Sequence, residues 1–197
     1  SRVACLYRAP KMQPNVRLIG RNQGKRMPSY KYLIVGGGMT AAAAITGIRE
    51  VDRDGSIGVI TSEVHPPYNR PPLSKALWKG TPLASIWRTA DDDAVTFHQT
   101  RTARELDVHG KRVTDDHGDG YDFEKLLLAT GCRPRTLPFG ADQIIYFRTV
   151  DDYERLRRLT EHGDHFAIIG GGFIGSEVAA ALAMNGKKVT LIFPDEF

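Results

Sequence analysis

One arrangement of apolar and polar positions occurs twice in this chain. Residues 31–36, Lys-Tyr-Leu-Ile-Val-Gly, form an almost unbroken apolar run, the pattern of a strand buried on both faces of a parallel sheet. Gly36-Gly37-Gly38-Met39-Thr40-Ala41 follows, and the Ala-rich stretch from Ala41 to Glu50 predicts a helix. Ile57–Thr61 predicts a second strand that ends at Ser62-Glu63. The same order returns 134 residues later, at Gly170 against Gly36. Phe166–Gly170 predicts a strand, Gly170–Gly175 a glycine loop, Ser176–Asn185 a helix, and Lys188–Phe193 a strand ending before Asp195. An internal duplication of this kind is more informative than either copy.

The intervening chain follows other rules. Residues 64–90 carry Pro66, Pro67, Pro71, Pro72 and Pro82, and predict one short helix around Leu73–Trp78 whose start the prolines set. Residues 94–123 predict short strands in an antiparallel meander, with turns at His109-Gly110 and His117-Gly118-Asp119-Gly120. Phe123–Gly131 returns to a buried strand, and Asp151–Glu161 reads as a charged surface helix.

A GxGxxG/A loop between a buried strand and a helix meets three needs. Its first glycine makes the tight turn, its second admits a pyrophosphate to the backbone, and its third small residue lets helix and strand pack closely. The phosphates then sit on unpaired amides at the positive end of the helix. Gly36, Gly38 and Ala41 fill these roles in the first copy; Gly170, Gly172 and Gly175 fill them in the second. An acid lies near the expected spacing of about 20 residues in each: Glu63 is 22 residues past Ala41, and Asp195 is 20 past Gly175. Either carboxylate suits ribose hydroxyls. The fold class expected is therefore α/β, with two Rossmann-like dinucleotide-binding units, an antiparallel meander and a truncated second unit. Its divisions are a basic segment at 1–30, a first unit at 31–150 and the start of a second at 151–197. Two dinucleotide sites are most economically a flavin and a nicotinamide.

With these motifs the sequence resembles the pyridine nucleotide-disulfide oxidoreductase superfamily, a group of two-dinucleotide-binding-domain flavoproteins, over about residues 31–197. The likeness is to the branch holding apoptosis-inducing factor and the bacterial ferredoxin and rubredoxin reductases. Pro67-Tyr68-Asn69-Arg70-Pro71-Pro72-Leu73-Ser74-Lys75 looks like that family's flavin-side loop, and Leu128-Ala129-Thr130-Gly131 is similar to its ATG motif. Phe147-Arg148-Thr149 and Phe173-Ile174-Gly175-Ser176-Glu177 match two further segments. The resemblance implies an FAD site formed by Gly36, Gly37, Gly38, Met39, Thr40, Ala41, Glu63, Arg70, Lys75, Ala103, Thr130, Gly131 and Arg148. It implies an NAD(P)H site formed by Gly170, Gly171, Gly172, Phe173, Ile174, Gly175, Glu177 and Asp195. It also implies that Lys75 and Glu177 form an ion pair beside the flavin N5 and the nicotinamide, as preorganisation for hydride transfer. Arg133 and Arg135, after the ATG motif, read equally as cofactor contacts or as a solvated loop.

Composition narrows these readings. The 197 residues are 41% hydrophobic and 25% charged, ordinary for a globular chain, and hold no apolar run of the length that spans a membrane. The formal net charge is +4. Residues 1–26 hold seven Lys and Arg and no Asp or Glu, so the rest of the chain is mildly acidic and a specific nucleic-acid partner is not expected. The basic segment reads as a disordered tail or upstream translation product, a targeting peptide or a polyanion-binding arm. Cys5 and Cys132 are the two cysteines, consistent with a reducing compartment. No CxxC pair stands near Ser74-Lys75, where the family's disulfide reductases keep theirs, so electrons are expected to leave the flavin directly. Cys132 is expected to be a small buried thiol. The six histidines show no metal-ligand spacing, no GxSxG is present, and Trp78 and Trp87 are expected to pack on the short helix.

The expected protein is an FAD-dependent NAD(P)H oxidoreductase passing electrons to a ferredoxin-like carrier, a quinone or oxygen. Asp195, with no basic residue in the last strand, favours NADH over NADPH. The alternative is a redox-sensing flavoprotein of the apoptosis-inducing-factor type with low turnover. The chain is expected to be a fragment whose complete form holds the activity. The resemblance allows a homodimer of that form, and the location expected is cytoplasmic, or mitochondrial if residues 1–26 are a transit peptide.

Overall fold

Leu33 and Val35 alternate with Ile34 along one strand, and all three are buried. Successive side chains of a strand face opposite ways, so a run of this kind needs cover on both sides. In the computed structural model, which describes residues 27–88, 94–140 and 143–194, that strand is β1 (Ser29–Val35). Residues 1–26 and Asp195 lie outside the described residues. β2 (Ile57–Ile60), β3 (Val95–His98), β4 (Ala103–Asp107), β5 (Arg112–Asp115) and β6 (Gly120–Leu128) complete a six-stranded sheet in the order β3-β2-β1-β6-β5-β4. β3 through β6 in that order run parallel, and β5 and β4 are antiparallel. On one face α1 (Met39–Val51) buries Ala41 and Ile45 against Ile34, Ile57 and Val59. On the other, Leu33, Val35 and Ile60 pack with Tyr30, Val113 and Tyr121. Each large apolar side chain so buried contributes about 1.5–3 kcal/mol.

Two expectations change here. Residues 95–98 are not in the meander; they pair parallel to β2, from Ile57↔Val95 to Ile60↔His98, because Val95 and Phe97 add to the cluster under α1. The last meander strand and the returning strand are one nine-residue strand, β6.

The predicted turn between β5 and β6 is built on a buried carboxylate. Asp115 is 3% exposed. Its Oδ1 accepts the amides of His117 and Asp119, each at 2.9 Å. Its Oδ2 accepts the Tyr121 hydroxyl at 2.8 Å and Arg101 Nη1 at 3.3 Å. Burial alone would raise the Asp115 carboxyl. The Tyr121 hydroxyl, the two amides and Arg101 outweigh it and hold the group below the usual carboxylate range.

The described residues 69–86, 132–140 and 143–194 form a second packing unit, and 27–68, 87–88 and 94–131 form the first. Residues 69–86, 132–140 and 143–149 thus group with the second glycine loop, where chain order predicts one division near 150. The reason is local, since side chains of 69–86 bond to the helices of the second unit, as set out below. That unit holds α2 (Val150–His162), β7 (His165–Ile169), α3 (Phe173–Met184) and β8 (Lys188–Ile192), with β7 and β8 parallel. The single short helix expected at 73–78 is instead a series of 3-10 turns, Pro71–Ser74, Ala76–Lys79 and Leu83–Ile86. Lys75, at φ −129° and ψ −94°, leaves the helical path, and Gly80, at φ +88°, ends the second turn. β7 and β8 alternate half-buried and exposed positions, with Ile169 53% and Ile192 49% exposed. Among the described residues no helix is long and apolar enough to cross a membrane.

α2 closes its own N-terminus. Thr149 Oγ1 accepts the Asp152 amide at 3.2 Å, and Asp152 Oδ2 accepts the Thr149 amide at 2.7 Å, a reciprocal capping box. Thr149→Ala is expected to cost about 1 kcal/mol, a fall in melting temperature of about 2–4 °C for a chain of this size, measurable by thermal denaturation.

Candidate functional site

Both glycine loops are shorter than the sequence pattern implied. α1 begins at Met39 and α3 at Phe173, so Met39, Thr40 and Ala41, like Phe173, Ile174 and Gly175, lie in a first helical turn. Close packing explains this. Ala41 is fully buried, and a Cβ on Gly175 would collide with the Gly170 carbonyl oxygen. Gly36, at φ +114°, is under the same demand, because a Cβ there would collide with the backbone carbonyl of Ala129. A Cβ on Gly37 would stand 2.5 Å from Thr61 Oγ1, whereas Gly172 faces open space.

The helix starts themselves differ from α2. Gly38 caps α1 and Gly172 caps α3; neither start has a side-chain cap, and neither first turn holds an acid. First-turn amides with no internal partner at the positive helix end form an anion site. α2 fills its site with Thr149 and Asp152, while α1 and α3 bring only glycine to theirs.

Glu63 leaves β2 with its amide donating to Thr61 Oγ1 at 3.2 Å. Its Oε2 accepts the Tyr68 hydroxyl at 2.6 Å. Tyr68 is 3% exposed and packs edge-on against Trp87 with centroids 5.7 Å apart, and Trp87 lies 5.7 Å from His65. Trp87 thus packs on Tyr68. Sequence reasoning missed Tyr68 as the group that aims Glu63. Ala103 opens β4 and packs on the core, while Thr130 and Gly131, at φ +65°, lie in an exposed irregular stretch after β6.

In the second unit the structure brings Lys75 and Glu177 together. Lys75 Nζ stands 2.8 Å from Glu177 Oε2, and the Ser74 hydroxyl donates to the same oxygen at 2.6 Å. These contacts, Lys75 first and Ser74 second, hold the Glu177 carboxyl below its usual range against a smaller opposing effect of burial. A pocket of about 300 Å³ opens beside the pair, lined by Trp78, Lys79, Ala181 and Met184 among others. Trp78 donates from Nε1 to the Leu73 carbonyl at 2.8 Å, packs edge-on against Tyr153 at 5.6 Å, and carries Arg157 over its ring at 4.9 Å. Asn185 Nδ2 donates to the Trp78 carbonyl at 3.2 Å. The turn at 71–79 is thus tied to α2 and α3 together.

Arg70 and Arg148 also meet, with Arg70 Nη1 donating to the Arg148 carbonyl at 3.0 Å and the Arg148 amide donating to Asp152. Arg133 and Arg135 are exposed. Cys132, expected to be buried, is exposed, in the irregular stretch that follows Gly131. Among the described residues no group of His, Cys, Asp and Glu could hold a metal ion. Chemically, each unit offers an amide-lined anion cradle behind a strand, and the second adds a lysine ammonium held by a carboxylate.

Comparison with known proteins places this arrangement. The family model for pyridine nucleotide-disulphide oxidoreductases matches residues 30–194. The chain is 32% identical over 193 residues to mitochondrial apoptosis-inducing factor 1 of Dictyostelium discoideum, covering 84% of this chain and 36% of that protein. It is 36% identical over 169 residues to the ferredoxin–NAD(+) reductase component of the p-cumate 2,3-dioxygenase system of Pseudomonas putida, covering 82% and 42%. Among solved structures it superposes on one from the covalent putidaredoxin reductase–putidaredoxin complex with a TM-score of 0.75 at 31% identity, covering 82% of this chain and 42% of that one. The chain spans less than half the length of these relatives.

Proposed function

Since the chain belongs to the pyridine nucleotide-disulphide oxidoreductase family, we propose that it is the dinucleotide-binding part of an FAD-dependent NAD(P)H oxidoreductase whose electrons pass to a small carrier protein. One observation carries the reading: α1 and α3 begin at bare glycine caps, while α2 occupies its own first-turn amides with Thr149 and Asp152. The residues fit two dinucleotides, because each loop closes tightly on backbone, Gly36 against Ala129 and Gly175 against Gly170, while a Cβ on Gly172 at the start of α3 would project into open space. Gly36, Gly38, Ala41 and Glu63 would hold the flavin dinucleotide, and Gly170, Gly172 and Gly175 the nicotinamide dinucleotide. A bound flavin supplies two-electron acceptance from a reduced nicotinamide and release of electrons to a one-electron acceptor.

This chain's own residues prepare that step. The helix-start amides neutralise pyrophosphate charge without a counter-ion. Glu63, steadied by Tyr68, accepts ribose hydroxyls. Lys75 presents a fixed positive charge that stabilises negative charge developing beside it, and Glu177 keeps the ammonium oriented. Neither has to give up a proton. A ferredoxin-like carrier is the acceptor that the reductase relative's name suggests. The Ser74-Lys75 pair carries no thiol, which favours direct delivery, and NADH is the donor favoured by Asp195.

The test is reconstitution of the full-length protein with FAD, followed by NADH under anaerobic conditions. The visible flavin band is expected to bleach, and oxidised ferredoxin to restore it. Lys75→Met is expected to slow bleaching about 100-fold. A protein that retains no flavin after reconstitution, or a flavin that NADH leaves unbleached, overturns the proposal.

A further inference from the structure

Lys75 and Glu177 do not hold each other alone. A pair with half of the lysine side chain in water, here 53% exposed, is weakly fixed, because solvent and salt screen it and the long side chain resists ordering. Ser74 stands differently. It is 8% exposed and ends a 3-10 turn whose first two residues are Pro71 and Pro72, whose rings fix φ. A serine in such a turn ordinarily bonds its own neighbouring backbone. Its hydroxyl instead reaches a carboxylate 103 residues away, at 2.6 Å, a distance typical of a charge-assisted O–H···O⁻ bond. The next residue leaves the helical path at φ −129° and ψ −94°, so neighbouring side chains converge on one oxygen, Glu177 Oε2.

We propose that Ser74 is a positioning residue for the oxidoreductase reaction: its hydroxyl clamps the Glu177 carboxylate, and the clamped carboxylate aims the Lys75 ammonium. The inference rests on the function proposed above and assigns the preorganisation of the site to the buried serine more than to the exposed ion pair. Lys75 and Lys79 are the charged groups that the 71–79 turn brings to this pocket, and Glu177 is the one charged residue of α3. On α2, Arg157 lies over the Trp78 ring. With the hydroxyl present, Glu177 is held still, and the lysine follows it. Without it, carboxylate and ammonium both turn toward water.

The experiment compares wild type with Ser74→Ala in the full-length, FAD-loaded protein by two readouts. Anaerobic stopped-flow reduction by NADH is expected to slow about 10-fold, the scale of a lost hydrogen bond to a charged group, with the apparent Kd for NADH changed by no more than about twofold, as for an interaction that acts on the step and not on binding. The Glu177 carboxyl, followed by carbon-13 NMR and assigned with Glu177→Gln, is expected to titrate at higher pH in Ser74→Ala, because a donor to the charged form is gone. The acid limb of the reduction rate moves up with it. Ser74→Thr restores both. If Ser74→Ala does not fold, Ser74→Cys, similar in size and a weaker donor, is expected to give a partial shift in the same directions. A wild type reduced by NADH beside a serine variant with unchanged rate and unchanged Glu177 titration overturns the positioning role and leaves the function standing. A wild type that NADH does not reduce overturns the function and this role with it.

Discussion

Gly36→Ala is expected to destroy the first dinucleotide site and to cost about 4 kcal/mol of stability, at the upper end of single substitutions. Two demands meet at that residue. Its φ of +114° lies where a side chain is strained. Its missing Cβ leaves the space occupied by the Ala129 carbonyl, with Thr130 N also 3.1 Å from the Cβ position. Neither neighbour can yield. The Gly36 amide donates to the Ile60 carbonyl at 2.8 Å, and the Ala129 amide donates to the Val35 carbonyl at 2.8 Å. Any shift that admits the methyl group therefore pulls β1 away from β2 or β6. Purified Gly36→Ala is expected to carry no visible flavin after reconstitution and to unfold at lower denaturant than wild type. Gly47→Ala is the control: Gly47 lies within α1 with open space around its Cβ position, and alanine there is expected to add about 0.5–1 kcal/mol. A Gly36→Ala protein that keeps its flavin and its stability would mean that the strand ends are not locked as described.

Asp115→Ala is expected to be nearly as costly, about 3–5 kcal/mol, the scale for breaking a buried charged network on one side. The alanine abandons the Tyr121 hydroxyl, two turn amides and Arg101. Tyr121 is 2% exposed. Its hydroxyl is pushed far above its ordinary range by burial and then by Asp115, so it is a neutral donor whose acceptor the substitution removes. Acid reaches the same end. Because the folded-state pKa of Asp115 is depressed, its stabilisation is complete above the unfolded value of about 3.9 and is lost as pH falls through the folded value. Denaturant titrations at successive pH values are expected to show wild-type stability declining in that acid window and a flatter profile in Asp115→Ala. Equal acid slopes in the two proteins would remove Asp115 from the network.

Much of the outline was legible because it rests on short-range rules. The apolar run of β1, the glycine loop behind it and the Ala-rich helix each follow from period, turn chemistry and burial within about twenty residues. Their return at 166–192 sets two copies of one loop context in the chain, which is what points to two dinucleotides. The candidate loops, Glu63, Lys75 and Glu177 were found in this way or through the family's motifs. Local signals went astray where packing outweighed them. The turns at 109–110 and 117–120 predict a meander over 94–123, but the cluster beneath α1 draws 95–98 into the parallel sheet. The prolines marked the start of a helix and gave no warning that Lys75 would break it into two turns.

What the sequence determined by itself is the repeated strand–loop–helix frame and the residue types at its anion cradles, since glycine at a forced approach and apolar side chains in a two-sided strand admit few substitutes. What only the tertiary structure decided is which polar groups hold one another. Tyr68 on Glu63 spans five residues of a loop, Ser74 on Glu177 spans 103, and Asp115 gathers donors from a turn, a strand and Arg101. A serine or tyrosine carries the same hydroxyl wherever it stands. Its role is set by burial, which removes water as a partner and leaves the nearest carboxylate as its acceptor, and burial belongs to the packed chain.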